Sequence, residues 1–262
     1  MDIPILYEDD NYIVFNKPAG LVVHPDGRSK EATLVDWLLE HRPDMKNVGE
    51  PLIIAGKEEE VDEDGAEKIA AKPGQTILRP GIVHRLDKDT SGALVVAKNQ
   101  KAFEDLKNKF KNREVDKKYH TFVYGDLKEE DATINRPIGR SRTDFRLWSA
   151  QRGARGEMRD AITNYRVMAR GNDSTNGEAV NLVEVEPKTG RTHQIRVHFK
   201  AIHHPVVADP LYAPKMAPLL GFERLALHSV SISFKGIDGK KISVRAPYPG
   251  DFMRAVEMLQ KD

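Results

Sequence analysis

The order of apolar and polar positions along the chain predicts a series of short, distinct elements. Tyr12-Ile13-Val14-Phe15 is a run of strand formers. Lys17-Pro18-Ala19-Gly20 follows, where proline presets φ and glycine accepts a positive one, so the chain turns. Residues 34–41 place Leu34, Trp37 and Leu38 on one helical face, behind Thr33 and Asp36 at capping-box spacing. Ala93-Leu94-Val95-Val96-Ala97 is apolar throughout, as a central strand covered on both faces would be. Asn99 can cap the next helix, with Phe103, Leu106 and Phe110 at i, i+3 and i+7 and Lys107, Lys109, Lys111 and Arg113 outward. Tyr119 to Tyr124, Ala161 to Met168 and Val180 to Glu186 read as strands. Residues 192–202 read as a helix with Ile195, Phe199 and Ile202 inward. Asp238-Gly239 between β-rich flanks predicts a hairpin over Ile232 to Val244. Asp251 is expected to cap a last helix that buries Phe252, Val256 and Leu259.

Strands and helices mix without a regular β-α-β alternation. That predicts an α+β fold with a mixed, largely antiparallel sheet flanked by helices. Residues 46–79 lose periodicity and hold Gly49, Gly56, Gly65, Pro73 and Gly74, which predicts a flexible insertion. No internal repeat interrupts the pattern, so residues 1–262 are expected to form one domain carrying that insertion.

Composition narrows the classes. There is no cysteine, hence no disulfide framework, thiol nucleophile or cysteine zinc site. No apolar run approaches the ~20 residues of a membrane span, and the first residues show no secretory signal. No membrane partner and a cytoplasmic location are the expectation. The net charge of +1 conceals an asymmetry. Residues 57–68 carry seven acids and two lysines, whereas residues 136–166 carry eight arginines, Arg142 and Arg146 among them, against three acids. Partner binding follows local fields, so the arginine-rich segment suits a phosphate backbone. A solvated basic face is the plainer alternative.

The densest chemistry lies in His84-Arg85-Leu86-Asp87-Lys88-Asp89-Thr90-Ser91-Gly92, immediately before the apolar run at 93–97. A carboxylate at the mouth of a strand, with cations beside it, is a candidate nucleophile or base. On spacing alone, Asp87 could equally cap a turn and pair with Arg85. This stretch resembles the catalytic motif of the RluA family of pseudouridine synthases. Asn16 to Pro25 resembles that family's Lys-Pro-x-Gly segment, and Lys117-Lys118-Tyr119 its tyrosine segment. Pro187 to His198, with His204-Pro205 and Asp209, resembles its arginine motif. Arg224 to His228 and Ala246 to Pro249 fit its C-terminal part.

The resemblance implies a bent sheet, an RNA substrate of the ribosomal or transfer class, and isomerisation of uridine without a cofactor. It implies Asp87 as the essential residue, attacking the ribose or removing its 2′ proton. It implies Arg196 as the partner of that carboxylate; a phosphate contact is the other reading of Arg196. Tyr119 could stack on the uracil and move a proton at C5, or be an ordinary half-buried strand tyrosine. Ile195 is a candidate for the opposite face of the base, and core packing is its alternative. Arg85 is a candidate to fill the place of the flipped base. Arg191, after a Thr-Gly turn at a helix start, suits phosphate. His84 completes the RNA-facing candidates. The small RNA-binding domain common in the family is expected to be missing, and the chain to be monomeric. The nine histidines offer no ligand set with metal spacing: His193 and His198 lie five apart, not four. Two rivals remain at this point, a metal-dependent RNA hydrolase built on Asp87, Asp89 and histidines, and a non-catalytic RNA-binding protein.

Overall fold

Thr33 closes the first helix as its spacing predicts: its hydroxyl accepts from the Asp36 N–H, and the Asp36 carboxylate accepts from the Thr33 N–H. The structure is a computed structural model that describes residues 2–25, 31–53, 76–144, 147–151 and 154–259. In chain order its elements begin with β1 (Ile5–Glu8), β2 (Tyr12–Lys17), α1 (Leu34–His41), β3 (Leu52–Ile53), β4 (Thr76–Ile77), β5 (Ser91–Ala97) and α2 (Gln100–Lys111). Then come β6 (Asp116–Tyr124), β7 (Asp131–Asn135), β8 (Ile138–Arg140), β9 (Trp148–Ser149), β10 (Arg155–Arg159), β11 (Ile162–Asn172) and β12 (Ala179–Pro187). The chain ends with α3 (Gln194–Ala201), β13 (Leu227–Lys235), β14 (Lys241–Arg245) and α4 (Gly250–Leu259). The fold is α+β and its ladders are mostly antiparallel. Two compact units divide the chain: Met1–Asp116 with Ser231–Ala246, and Lys117–Val230 with Pro247–Asp262.

In the first unit β2 pairs antiparallel with β1 on one side and β5 on the other, in the register Tyr12↔Ala97 to Lys17↔Gly92. Every position of β5 is buried, which is why its sequence shows no alternation. Ser231 to Lys235 pairs with β14, and Gly239 takes φ +83° in the predicted hairpin turn. Tyr12, Val95, Phe103, Leu106, Phe234 and Val244 share one core. Asn99 caps α2 by accepting from the Ala102 N–H. β3 and β4 pair near the two ends of the expected insertion. The acidic run 57–68 lies outside the described residues.

The second unit is built on the antiparallel order β6-β12-β11-β7, with Tyr119 opposite Val185 and Thr163 opposite Pro187. A separate three-stranded sheet, β10-β8-β9, forms from the arginine-rich segment. Helix α4 crosses β11 at Gly171, where an added Cβ would come within 2.8 Å of Leu259. Asp251 does not cap α4. The helix starts at Gly250 and Met253 N–H bonds Pro249 O, so Asp251 lies inside the first turn, where its carboxylate accepts from the Phe252 N–H at 2.8 Å and pairs with Arg224 at 2.7 Å. Phe252, Ala255 and Leu259 form the buried stripe of α4, while Val256, expected there, is only partly covered.

Candidate active site

Gly81 sets the approach to Asp87. Its carbonyl accepts from the Ala97 N–H at 3.0 Å, so the chain runs beside β5. Gly81 sits at φ +66°, and a Cβ there would lie 2.0 Å from the Ala97 carbonyl oxygen, so only glycine fits. His84 then accepts from the Val95 N–H through Nε2 at 3.1 Å and stacks on Phe110 of α2, with centroids 4.6 Å apart. Both contacts fix His84 as a support of the loop. Leu86 is buried, and Asp87 emerges half-exposed at the end of this braced segment. Its carbonyl accepts from the Thr90 N–H at 3.1 Å, closing the turn that leads into β5. Arg85 is also half-buried, with Nη1 donating to His24 Nε2 at 3.4 Å.

A lysine ties this loop down. Lys17, at the end of β2, is 0% exposed, and its ammonium donates to the carbonyls of Pro18, Leu21 and Lys88 at 2.8–2.9 Å. Gly20 N–H donates to the same Lys88 carbonyl at 2.8 Å. The Lys-Pro turn is thereby stitched to the residue next to Asp87. A buried ammonium needs this many acceptors to offset its lost hydration. The sequence reading placed Lys17 in a family segment and gave it no task. A lysine closing a strand that is apolar from Tyr12 to Phe15 was the available signal.

The remaining site candidates belong to the second unit. Tyr119 lies in β6, 8% exposed. Its strand neighbours alternate to the other side: Lys118 donates to Glu184 at 2.8 Å, and His120 bonds the Tyr248 hydroxyl. Burial raises the Glu184 pKa, but the hydrogen bond and charge of Lys118, with help from His120, hold it below the ordinary range.

Arg196, in the first turns of α3, is 5% exposed and makes a fork with Asp209: Nε to Oδ2 and Nη2 to Oδ1, both 2.8 Å. Asp209 also accepts from the Leu211 and Tyr212 N–H groups. The Arg196 guanidinium lies 5.1 Å over the Tyr212 ring. Such a bidentate, stacked guanidinium is fixed in plane and direction. Ile195 beside it is buried. Gln194 organises the turn before α3, accepting from the Thr189 hydroxyl and the Arg191 N–H and donating to Ile162 O and the Thr163 hydroxyl. Arg191 is half-buried, and its Nε donates to the Asp160 carbonyl at 3.1 Å.

The sheet β10-β8-β9 orders part of the arginine-rich segment. Arg140 packs 4.2 Å over the Trp148 ring, and Arg142 is exposed in the β8–β9 connection. Arg146 and Arg152 lie outside the described residues. The second unit thus collects Arg191, Ile195 and Arg196 around α3, with Tyr119 on β6, while the first collects His84, Arg85 and Asp87 on one loop.

A carboxylate presented on a braced loop, and a guanidinium locked in orientation by a buried acid, are the parts of an enzyme rather than of a passive binder. The family model described as RNA pseudouridylate synthase matches residues 11–201, a span that holds Lys17, Asp87, Tyr119 and Arg196. An uncharacterised RNA pseudouridine synthase of Bacillus subtilis, YlyB, is 37% identical over 263 residues, covering 100% of this chain and 74% of that protein. The ribosomal large subunit pseudouridine synthase D of Xanthomonas campestris is 38% identical, covering 100% of this chain and 71% of that protein. Among solved structures, human RNA pseudouridylate synthase domain containing 1 superposes with a TM-score of 0.69 at 26% identity, over 95% of this chain and 84% of that one. The chain belongs to the RNA pseudouridylate synthase family, whose reaction is the isomerisation of uridine in RNA.

Proposed function

We propose that this chain converts specific uridines to pseudouridine in ribosomal or transfer RNA, with Asp87 as the reacting carboxylate and no cofactor. In this reaction the C1′–N1 bond breaks, the uracil turns, and a C1′–C5 bond forms. C5 loses its proton and N1 gains one, so no oxidant, reductant or co-substrate is consumed. The observation that carries the reading is the bracing of the Asp87 loop by Gly81, His84 and the buried Lys17 ammonium. A reacting group gains most from a scaffold that removes its freedom before substrate arrives. The similarity to a large-subunit ribosomal synthase favours ribosomal RNA.

In this reading Arg196 is the counter-ion to the reacting carboxylate, held in readiness by Asp209. Tyr119 stacks on the uracil and serves the proton at C5, and Ile195 takes the base's other face. Arg85 fills the place of the extruded base, a step that costs a few kcal/mol and so favours looped uridines. Arg191, Arg142 and Arg146 take phosphates. A monomer acting in the cytoplasm completes the proposal.

The test is Asp87→Asn, which keeps size and removes charge. It is expected to fold and bind RNA yet make no pseudouridine when incubated with RNA that the wild type modifies. Robust turnover by the mutant would overturn the assignment. Wild-type activity that survives a chelator would exclude the metal-dependent alternative.

A further inference from the structure

Tyr212 has no part in the scheme above, yet its two ends engage two different structures. Its ring is 5% exposed and underlies the Arg196 guanidinium at 5.1 Å, on the side chain that Asp209 grips. Its hydroxyl does something else. The Trp148 N–H donates to it at 3.0 Å, within a buried contact, and it lies 2.9 Å from His193 Nδ1. The hydroxyl oxygen thus accepts from Trp148 and shares a second hydrogen bond with His193 Nδ1. That bond holds the His193 ring in a single tautomer.

His193 and Trp148 are the ends that matter. His193 is the residue before α3, at φ 53° and ψ 20°, a left-handed conformation uncommon for a side chain with a Cβ. Trp148 opens β9 and carries Arg140 on its ring at 4.2 Å. The backbone of β9 pairs with β8, Arg140 opposite Trp148. One phenol oxygen therefore joins the start of the arginine helix to the small arginine-bearing sheet.

We infer that Tyr212 is a positioning residue with two separable tasks: its ring orients Arg196 for the reaction, and its hydroxyl docks the β8–β9 arginines for RNA. The kinetic half of this inference rests on the function proposed above; the structural half does not.

The pair Tyr212→Phe and Tyr212→Leu separates the tasks. Full-length wild type and both variants are compared on transcribed, unmodified large-subunit ribosomal RNA and on a transcribed tRNA pool. Tyr212→Phe keeps the ring. It is expected to raise KM about ten-fold, equivalent to about 1.4 kcal/mol of binding, with kcat changed by no more than about two-fold. Tyr212→Leu is expected to lower kcat by a further ten-fold or more, because Arg196 loses the face that holds its plane. A merely structural tyrosine would lower the melting temperature of both variants and leave their kcat-to-KM pattern alike. Equal patterns, or a Tyr212→Phe defect confined to kcat, would overturn the inference.

A second readout needs no turnover. In histidine-labelled protein, with the His193 signal identified through His193→Gln, nitrogen-15 shifts are expected to show a single ring tautomer in the wild type and a tautomer mixture in Tyr212→Phe. Identical His193 signatures would sink the hydroxyl's role. A wild type that shows the signature but makes no pseudouridine would count against the enzyme reading and leave the Tyr212 contact intact.

Discussion

Thr90 is 2% exposed, and its hydroxyl finds no hydrogen-bond partner among the described residues. It sits on the turn that Asp87 closes. A buried hydroxyl without a partner costs roughly 1–3 kcal/mol relative to hydration. Sites that keep such a cost commonly do so for function. Thr90→Val is therefore expected to gain about 1 kcal/mol of stability, seen as a rise of about 2–4 °C in melting temperature, while turnover falls. A mutant less stable than the wild type would show that the hydroxyl is satisfied in solution. Tyr119 is tested by the opposite logic, since its value is expected at the oxygen and at the ring separately. Tyr119→Phe keeps the stacking surface and removes the proton donor. RNA affinity should be retained and kcat should fall at least ~100-fold, the lower range of a general acid–base contribution. A wild-type rate in Tyr119→Phe would leave stacking as the residue's whole contribution.

Among the elements, the β8–β9 connection carries the clearest expectation for RNA. Arg142 is exposed there, next to a sheet that the Trp148–Tyr212 contact holds in place. Arg142→Ala should weaken RNA binding and reduce the slope of log K against log salt by about 0.7–0.9, one lost phosphate contact. An unchanged slope would mean that the segment faces away from the RNA. What could be read in advance at this scale depended on whether the signal was local. The capping box Thr33–Asp36, the Asn99 cap and the Asp238-Gly239 hairpin are contacts between near neighbours, so residue types at fixed spacing reveal them. Asp251 misled because the helix begins one residue earlier, at Gly250, so its carboxylate lies inside the first turn, where it accepts from the Phe252 N–H and also pairs with Arg224, 27 residues back. The β10-β8-β9 sheet went unseen as structure: strands of two to five residues are too short to show a period, and only their charge registered. At the site, the residues of the resembling motifs were legible by order along the chain. The contacts of Tyr212 and the bond from Lys17 to the Lys88 carbonyl were not, since both depend on folding that brings distant chain within reach.

Across the whole molecule, one buried imidazole ties stability to pH. His198 is 0% exposed, and burial pushes its imidazole down to about 4, with the charge of Arg136 acting the same way and the hydrogen bond to the Arg136 carbonyl opposing it. It is a neutral ring in a defined tautomer: Nε2 faces that carbonyl at 3.0 Å, so it carries the proton, and Nδ1 accepts from the Thr163 hydroxyl at 2.9 Å. In the unfolded chain the same ring titrates near 6.5. Between about pH 6.5 and 4 the unfolded state therefore binds a proton that the folded state refuses, and stability falls as pH falls. A gap of that width is worth about 3 kcal/mol. The carboxylates act lower. Glu184 and Glu186 are raised by burial but pulled below the ordinary range by Lys118 and, for Glu186, first by Lys188; Asp173 is raised by burial and pulled down by the N–H groups of Leu220, Thr175 and Asn176 and by the Thr175 hydroxyl. With depressed folded values, their contributions persist above the unfolded carboxylate range and are lost below it. The acid limb should thus show two stages, an imidazole stage from pH 6.5 to 4 and a carboxylate stage beneath it. Urea unfolding midpoints followed across pH 4 to 7.5 for the wild type and His198→Gln resolve them. The glutamine has no proton to gain, so its profile should decline less than that of the wild type between about pH 6.5 and 5. Parallel profiles over that window would mean that His198 accepts its proton inside the folded protein, contrary to the burial described here.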